Sequence, residues 1–378
     1  MFDSSFPIRR IDHIELYVGS GRQVAEFFQR AFGFHLTAWR GLETGSREVA
    51  SYLLEQGDIR LVVTTALTPE SPVARHVWEH GDGVAVIALE VPAVDVALER
   101  AVAGGAEVAS DAEEAPIAGG TWRSATIHAF GDTRLRFVER RASGGAGVSG
   151  SWGFAPGFEP RASLSTYAPP GGSGGDCGLT AIDHLVANVE RGAMDRWVRF
   201  LGATLGFTEL MHFDDRAIST EYSALMSKVM QDGTGRIKIP INEPAAGRRK
   251  SQVEEYLDFY RGPGVQHIAL ETADIIRTVG ALRDRGVAFL QPPATYYHDL
   301  SARVGRLGEP MEALADLGIL VDRDDEGYLL QIFTEPVPDR PTLFFEIIQR
   351  HGARGFGEGN FRALFEAIER EQELRGNF

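Results

Sequence analysis

Three side chains in the second half of the sequence have the chemical types that hold a metal ion. Glu346 is the lone acid in the apolar run LFFEII, which reads as a buried strand. A carboxylate in such a place destabilises the fold unless a positive charge meets it. His184, in IDHLVANV, and His267, in GVQHIAL, lie on two other predicted strands. Two imidazoles and one carboxylate form the ligand set of non-haem Fe(II) oxygenases, and zinc accepts the same set.

The strands that carry these residues belong to an internal repeat. Residues 11–18, IDHIELYV, and 182–189, IDHLVANV, are alike, and each is followed by an amphipathic helix and Gly-Phe. Later in each half the pattern Gly-Val-x-x-Ile-Ala-Leu forms a strand before a second helix. Gly-Asp and Asp-Gly turns indicate hairpins between other apolar runs. The sequence therefore predicts an α+β fold in which each half holds two strand-helix-strand-strand-strand units, that is, paired βαβββ modules.

Superposing the two halves shows which half could bind metal. His13 aligns with His184, and Val86 aligns with His267. Registering the last strands on the threonines of DTRL and PTLF aligns Phe137 with Glu346. A lone strand histidine is more often structural, and His13 is interpreted in that way. Because two apolar repeat positions change to metal-binding types in the same copy, we expect the metal in the second half only, inside a sheet that curls around it.

The domain organisation follows from the composition along the chain. A stretch rich in Gly, Ser and Pro separates the halves, which predicts a first domain at 1–141, a linker at 142–178 and a catalytic domain at 179–378. The C-terminal GNFRALFEAIEREQELRGNF reads as an amphipathic helix that closes over the second domain. Its apolar face carries Phe361, Leu364, Phe365 and Ile368.

Overall composition excludes several classes of partner. The chain has 378 residues, 43% of them hydrophobic, and a formal net charge of -15 without clustered Lys and Arg, so we expect no nucleic-acid partner. No apolar run is long enough to span a bilayer, and no membrane association is expected. The single cysteine, Cys177, excludes an intramolecular disulfide and fits a reducing compartment. We therefore expect a cytoplasmic location.

The chain contains the motifs IDHLVANV, EYSALMSKVM, PINEP, KSQVEEYL, GVQHIAL, GYLLQIFTEP, RPTLFFEIIQR and GFGEGNFRALFEAIEREQ, and HVWEHGDGV in its first half. These motifs closely resemble those of the 4-hydroxyphenylpyruvate dioxygenases, a family of the vicinal oxygen chelate superfamily. The resemblance covers essentially the whole chain outside the linker. It implies the glyoxalase-like fold of that superfamily, with an open β-barrel around the metal in the C-terminal domain and a degenerate N-terminal domain without metal.

The resemblance also implies the chemistry. Fe(II) would be held by His184, His267 and Glu346, and the family reaction converts 4-hydroxyphenylpyruvate and O2 to homogentisate and CO2 in tyrosine and phenylalanine breakdown. The α-keto acid would chelate the iron and supply the electrons, so no nicotinamide or flavin is needed. The partners expected are the small-molecule substrate, O2 and further copies of the chain in a homo-oligomer.

A phenol ring needs a flat apolar slot with polar groups at its ends. By resemblance, Phe333 and Phe361 would stack on the ring, with Phe344 and Phe356 nearby. Gln266 is left out because strand alternation predicts that it faces away from His267. Glu335 stands where the family has a lysine, which changes only a surface charge. Family positions that form the polar network around the substrate correspond to Ser227, Asn242, Gln252 and Gln331, and Asn360 belongs to the closing helix.

Three alternatives remain open at the level of sequence. The first is 4-hydroxymandelate synthase, which uses the same substrate but oxidises the benzylic carbon. Relatives of that kind carry an aliphatic residue at the position of Phe361 and lack the asparagine of PINEP, Asn242, so both residues favour ring attack. The others are a binding protein of the same fold without chemistry, which the intact ligand set disfavours, and a catechol-cleaving enzyme.

Overall fold

The computed structural model describes residues 8–142, 153–161, 175–213, 224–298 and 300–376. The chain divides into two compact units, the first formed mainly by residues up to Asp176 and the second mainly by residues from Cys177 onward. None of the helices in these ranges has the length and apolarity needed to cross a bilayer.

The first unit is built on one mixed sheet in the order β6-β7-β8-β5-β1-β4-β3-β2-β9, with helices after its first and fifth strands. Each of two βαβββ modules contributes four strands, and the short α2 connects the modules. The elements are β1 (Arg10–Tyr17), α1 (Gly21–Ala31), β2 (His35–Arg40), β3 (Val49–Gln56), β4 (Ile59–Ala66), α2 (Pro72–His80), β5 (Gly83–Glu90), α3 (Val94–Ala103), β6 (Val108–Ile117), β7 (Gly120–His128), β8 (Arg134–Ala142) and β9 (Glu159–Pro160).

The second unit repeats this plan in the order β11-β12-β13-β10-β14-β17-β16-β15. Its elements are β10 (Leu179–Asn188), α4 (Met194–Leu205), β11 (Thr208–Phe213), β12 (Leu225–Gln231), β13 (Lys238–Pro244), α5 (Gln252–Tyr260), β14 (Gly264–Thr272), α6 (Ile275–Asp284), α7 (Leu300–Val304), α8 (Met311–Asp316), β15 (Leu320–Arg323), β16 (Tyr328–Phe333), β17 (Phe344–His351) and α9 (Phe361–Leu374).

The strand pairing confirms the predicted α+β fold and its duplication. In each unit the first strand of one module lies antiparallel to the first strand of the other, as β1 to β5 and β10 to β14. Each of these strands then pairs in parallel with the last strand of its own module. The strands predicted to carry the metal ligands, β10, β14 and β17, are therefore neighbours in one sheet.

Part of the predicted linker is structured. Residues 153–161 lie against the first unit, where β9 pairs with β2. Phe154 and Phe158 pack on the apolar cluster of Ala38, Leu53 and Val62, which explains why this Gly-rich piece is ordered. Most of the remaining linker lies outside the described residues, and the domain bounds stay a prediction.

Gly264, at the start of the strand that carries His267, tests this architecture. A Cβ at this position would lie 2.5 Å from the Tyr256 hydroxyl and 2.5 Å from a ring carbon of Tyr260. We expect Gly264→Ala to lower the free energy of unfolding by about 1–3 kcal/mol through overpacking. Gly280→Ala is the control, because nothing lies within 4 Å of its new Cβ. In helix α6 that change should raise stability by about 0.5–1 kcal/mol. Urea unfolding measures both, and equal effects would contradict the packing described.

Candidate metal centre

The three predicted ligands come together on neighbouring strands. Ala269 on β14 lies opposite His184 on β10 and opposite Glu346 on β17, and His267 stands two residues before Ala269 on the same strand. One carboxylate oxygen, Glu346 Oε2, lies 3.2 Å from His184 Nε2 and 3.4 Å from His267 Nε2. All three residues are buried, with 9% or less of their surface exposed. The sheet thus brings two imidazoles and one carboxylate to a single point.

The three ligands and the residues around them shift one another's pKa values. Burial alone would raise the pKa of Glu346, but the neighbouring His184 and His267 together outweigh it and lower that pKa to about 2. Burial alone would lower the pKa of His184, yet Glu346 and Asp183 raise it. Burial lowers the pKa of His267. A divalent cation that binds His184 displaces a proton from it. Because protons and the cation compete for His184, cation binding weakens as the pH falls.

Asp183 and Arg350 fix the orientation of the His184 ring. Its Nδ1 donates to Asp183 Oδ1 at 2.7 Å, which leaves Nε2 as the free ligand atom. Arg350 holds Asp183 in turn, with Nε 2.6 Å from Oδ2 and Nη2 2.8 Å from Oδ1. Burial would raise the pKa of Asp183, but the hydrogen bonds from Arg350 and His184 keep it well below its usual range.

The donor set fits a divalent metal ion. Two ligand atoms that bind one ion at about 2.0–2.2 Å lie about 3–3.5 Å apart, which agrees with the 3.2 and 3.4 Å found here. Within the described part of the chain, Glu346 Oε1 and His267 Nδ1 are buried without a hydrogen-bond partner. An unsatisfied buried polar atom needs an explanation, and a bound ion beside it is one.

The positions of the first unit that are equivalent to the three ligands do not hold this donor set, and one sequence alignment was wrong. Ala88 is the counterpart of Ala269, and it lies opposite Arg136, not Phe137. Arg136 is therefore the counterpart of Glu346. The threonines used for registration are not equivalent: Thr133 donates to the Val84 carbonyl on the neighbouring strand, whereas the Thr342 hydroxyl bonds within its own turn. A cation thus replaces the third ligand.

An apolar cavity of about 70 Å³ opens beside the three ligands. Phe333, Phe344, Phe356 and Phe361 line it, together with Ser227, Asn242 and Gln252. Two predicted site residues, Gln331 and Asn360, are buried but do not line it. Gln331 lies beneath Gly357, where a Cβ would be 2.3 Å from its Nε2. Asn360 Oδ1 accepts a hydrogen bond of 2.6 Å from the Tyr296 hydroxyl. The roles of these residues in substrate binding stay predictions.

Gln266 lines the same cavity, so the expectation that it faces away was wrong. Val186 pairs with His267 and Ala187 pairs with Val265, which leaves Gln266 as the extra residue of a β-bulge. A bulge interrupts the alternation of side chains and re-aims one of them. The Gln266 amide lies 3.5 Å from Gln252 Oε1, so it joins the polar side of the cavity.

Other lining residues were not predicted to belong to the site, although their periodicity pointed to them. Leu225 and Val229 alternate with Ser227 along β12, and Pro240 lies two residues before Asn242 on β13. Leu364 and Phe365 follow Phe361 at helical spacing on α9. The full additional set is Val186, Phe213, Leu225, Val229, Pro240, Leu364 and Phe365.

Comparison with known proteins agrees with this geometry. The sequence model of the Glyoxalase/Bleomycin resistance protein/Dioxygenase superfamily matches residues 10–126 and 181–332. The 4-hydroxyphenylpyruvate dioxygenase of Aspergillus fumigatus is 43% identical, over 97% of this chain and 93% of its own. That of Dictyostelium discoideum is 43% identical, over 97% of this chain and 99% of its own.

A solved structure is similar over the same length. A triple mutant of 4-hydroxymandelate synthase from Streptomyces coelicolor superposes with a TM-score of 0.82 at 35% identity, covering 97% of this chain and 99% of its own. The predicted resemblance is thus confirmed by relatives that match nearly from end to end. The chain belongs to the glyoxalase/bleomycin resistance protein/dioxygenase superfamily and, within it, to the 4-hydroxyphenylpyruvate dioxygenases.

Proposed function

We propose that the chain oxidises 4-hydroxyphenylpyruvate with O2 to homogentisate and CO2, in the breakdown of tyrosine. The observation that carries this proposal is the convergence of His184, His267 and Glu346 beside an aromatic cavity, in a chain whose full-length relatives have that activity by name. A homo-oligomeric state and a cytoplasmic location remain predictions of the sequence.

The metal proposed for the site is Fe(II), held by the two imidazoles and the carboxylate. When bound, Fe(II) would supply a redox-active centre at which an α-keto acid and O2 meet. Zinc cannot take its place, because zinc has no redox chemistry. The chain's own part is to present both Nε2 atoms and Oε2 in fixed positions. Asp183 keeps the proton of His184 on Nδ1, so that Nε2 faces the centre.

The cavity walls suit a phenol ring. Phe333 and Phe344 lie close to His267, with ring centroids 6.0 and 4.8 Å from it. Phe356 and Phe361 also line the cavity and would help to confine a flat ring. Ser227, Asn242 and Gln252 line the same space and offer hydrogen bonds to the polar ends of the substrate. This apolar enclosure would exclude water while the keto acid is bound.

The cavity is not walled by the sheet alone. Helix α9 forms one wall through Phe361, Leu364 and Phe365. The far end of α9 is tied to α5, where Arg375 Nη2 lies 2.8 Å from Glu255 Oε2. We propose that α9 opens to admit the substrate and then closes.

Loss of one ligand should remove metal and turnover together. Loss of a residue that only supports a metal ligand typically costs about 10–100-fold in affinity. Because His267 is itself a ligand, we expect His267→Ala to lower metal affinity by more than about 100-fold. Metal analysis of the purified protein and substrate-dependent O2 uptake measure the two effects. His35→Ala is the control, because His35 is exposed in the first unit. A variant that keeps its metal would refute the site, and a wild type without O2 uptake would indicate a binding protein.

The similarity to 4-hydroxymandelate synthase makes benzylic oxidation the second candidate. Because Phe361 narrows the slot, we expect the wild type to form homogentisate. Phe361→Leu should raise the ratio of 4-hydroxymandelate to homogentisate about tenfold or more, within the range of side-chain changes in apolar pockets. Phe259→Leu, at an exposed site, should not change it. Chromatography after aerobic turnover decides, and 4-hydroxymandelate as the main wild-type product would overturn the proposal.

The motion of α9 can be tested at its ion pair with α5. Arg375→Gln removes the pair to the buried Glu255, so α9 should close less firmly over the cavity. We expect O2 consumption to exceed product formation by several-fold relative to the wild type, because water enters the site. Arg362→Gln is the control, since its side chain is 81% exposed. An unchanged ratio of O2 consumed to product formed in Arg375→Gln would count against closure.

A further inference from the structure

Arg350 contacts two parts of the site at once. It lies on β17, four residues after Glu346, and its side chain is only 12% exposed. Two of its nitrogens hold Asp183, which orients His184. The third, Nη1, donates to the carbonyls of Ala353 at 3.2 Å and Gly355 at 2.7 Å. A single planar guanidinium thus joins a ligand's partner to the segment that follows β17.

That segment also forms part of the cavity. The guanidinium carbon of Arg350 lies 5.6 Å from the ring centre of Phe356. The Phe356 ring in turn meets His184 edge to face, with centroids 5.0 Å apart. Phe356 lines the cavity, and the chain then continues into α9. Two sets of contacts therefore connect Arg350 to His184, one through Asp183 and one through Phe356.

We propose that Arg350 is a positioning residue that couples the closed conformation of residues 353–356 to the orientation of His184. When the segment is seated, its two carbonyls fix the guanidinium, which fixes Asp183 and the Nδ1 hydrogen bond of His184. When the segment is released, Arg350 is held less firmly and compensates the buried charge of Asp183 less fully. The imidazole of His184 is then no longer held in one orientation. Metal affinity and loop closure thus depend on the same side chain. This inference rests on the proposed metal site.

The first unit contains the same network without the metal ligands. Arg140 donates to both oxygens of Asp12, and His13 Nδ1 lies 2.6 Å from Asp12 Oδ2. The Arg140 Nε donates to the Phe154 carbonyl at 2.8 Å, and the Phe154 ring lies 5.1 Å from His13. This second copy gives a matched control, because its loss should cost similar stability with no effect on metal.

The experiment compares Arg350→Gln with Arg140→Gln in the full chain. Co(II) serves as the probe metal, and its affinity and visible absorption are measured by titration without substrate, alongside the urea midpoint. We expect Arg350→Gln to weaken Co(II) binding by about 10–100-fold and to change the absorption. Arg140→Gln should shift the midpoint but leave both signals as in the wild type. Equal effects of the two variants on Co(II), or wild-type affinity in Arg350→Gln, would overturn the proposal.

Arg350→Lys tests the coupling if the glutamine variant does not fold. One ammonium can stay near Asp183 but cannot also hold the Gly355 carbonyl in the fork geometry of arginine. We expect Co(II) affinity to fall several-fold, together with several-fold faster tryptic cleavage after the exposed Arg354. Wild-type cleavage would overturn the coupling. Because Co(II) binding and proteolysis need no turnover, they remain readable if the proposed oxygenase activity fails.

Discussion

The buried Glu346 carboxylate is the constraint on which the second unit depends. It lies in the middle of an apolar strand, and an isolated charge there would cost far more than a strand gains by burial. Two imidazoles meet it at 3.2 and 3.4 Å, and the adjacent Arg350 and Asp183 set the orientation of one of them. Such an arrangement contributes little to stability, since apolar residues would fill the space more favourably. Its presence is explained by a ligand that takes two nitrogens and one oxygen.

In the duplicated first unit, an ion pair between two side chains lies where the second unit has its ligands. Arg136 occupies the register of Glu346, and its guanidinium lies 3.1 Å from the buried Glu15. Val86 replaces the second histidine. One ion pair between side chains therefore replaces a cation site, although the Arg140, Asp12 and His13 network behind it is retained. The two units share a scaffold, but the charge at this register position is positive in the first and negative in the second.

Both units also complete their sheets with a segment that comes after the last strand of the repeat. In the first, Phe154 packs on the edge of His13, and in the second Phe356 packs on the edge of His184. The second segment continues into a helix, α9, whose Phe361 and Phe365 reach the cavity. This added helix turns an open sheet surface into an enclosed slot, which is what separates a binding surface from a site that can exclude water.

The sequence by itself determined the fold and the three convergent side chains. Hydrophobic alternation and the repeat of IDH and GVxxIAL were enough to predict paired βαβββ modules, because identical module plans bring equivalent strands together. It failed where one residue of register matters. The loop before β8 and the loop before β17 differ, so Phe137 was aligned in place of Arg136. The bulge at Gln266 turned a side chain that alternation sends outward into the cavity. Register and bulges are set by hydrogen bonds between strands distant in sequence, so only the tertiary structure decided them.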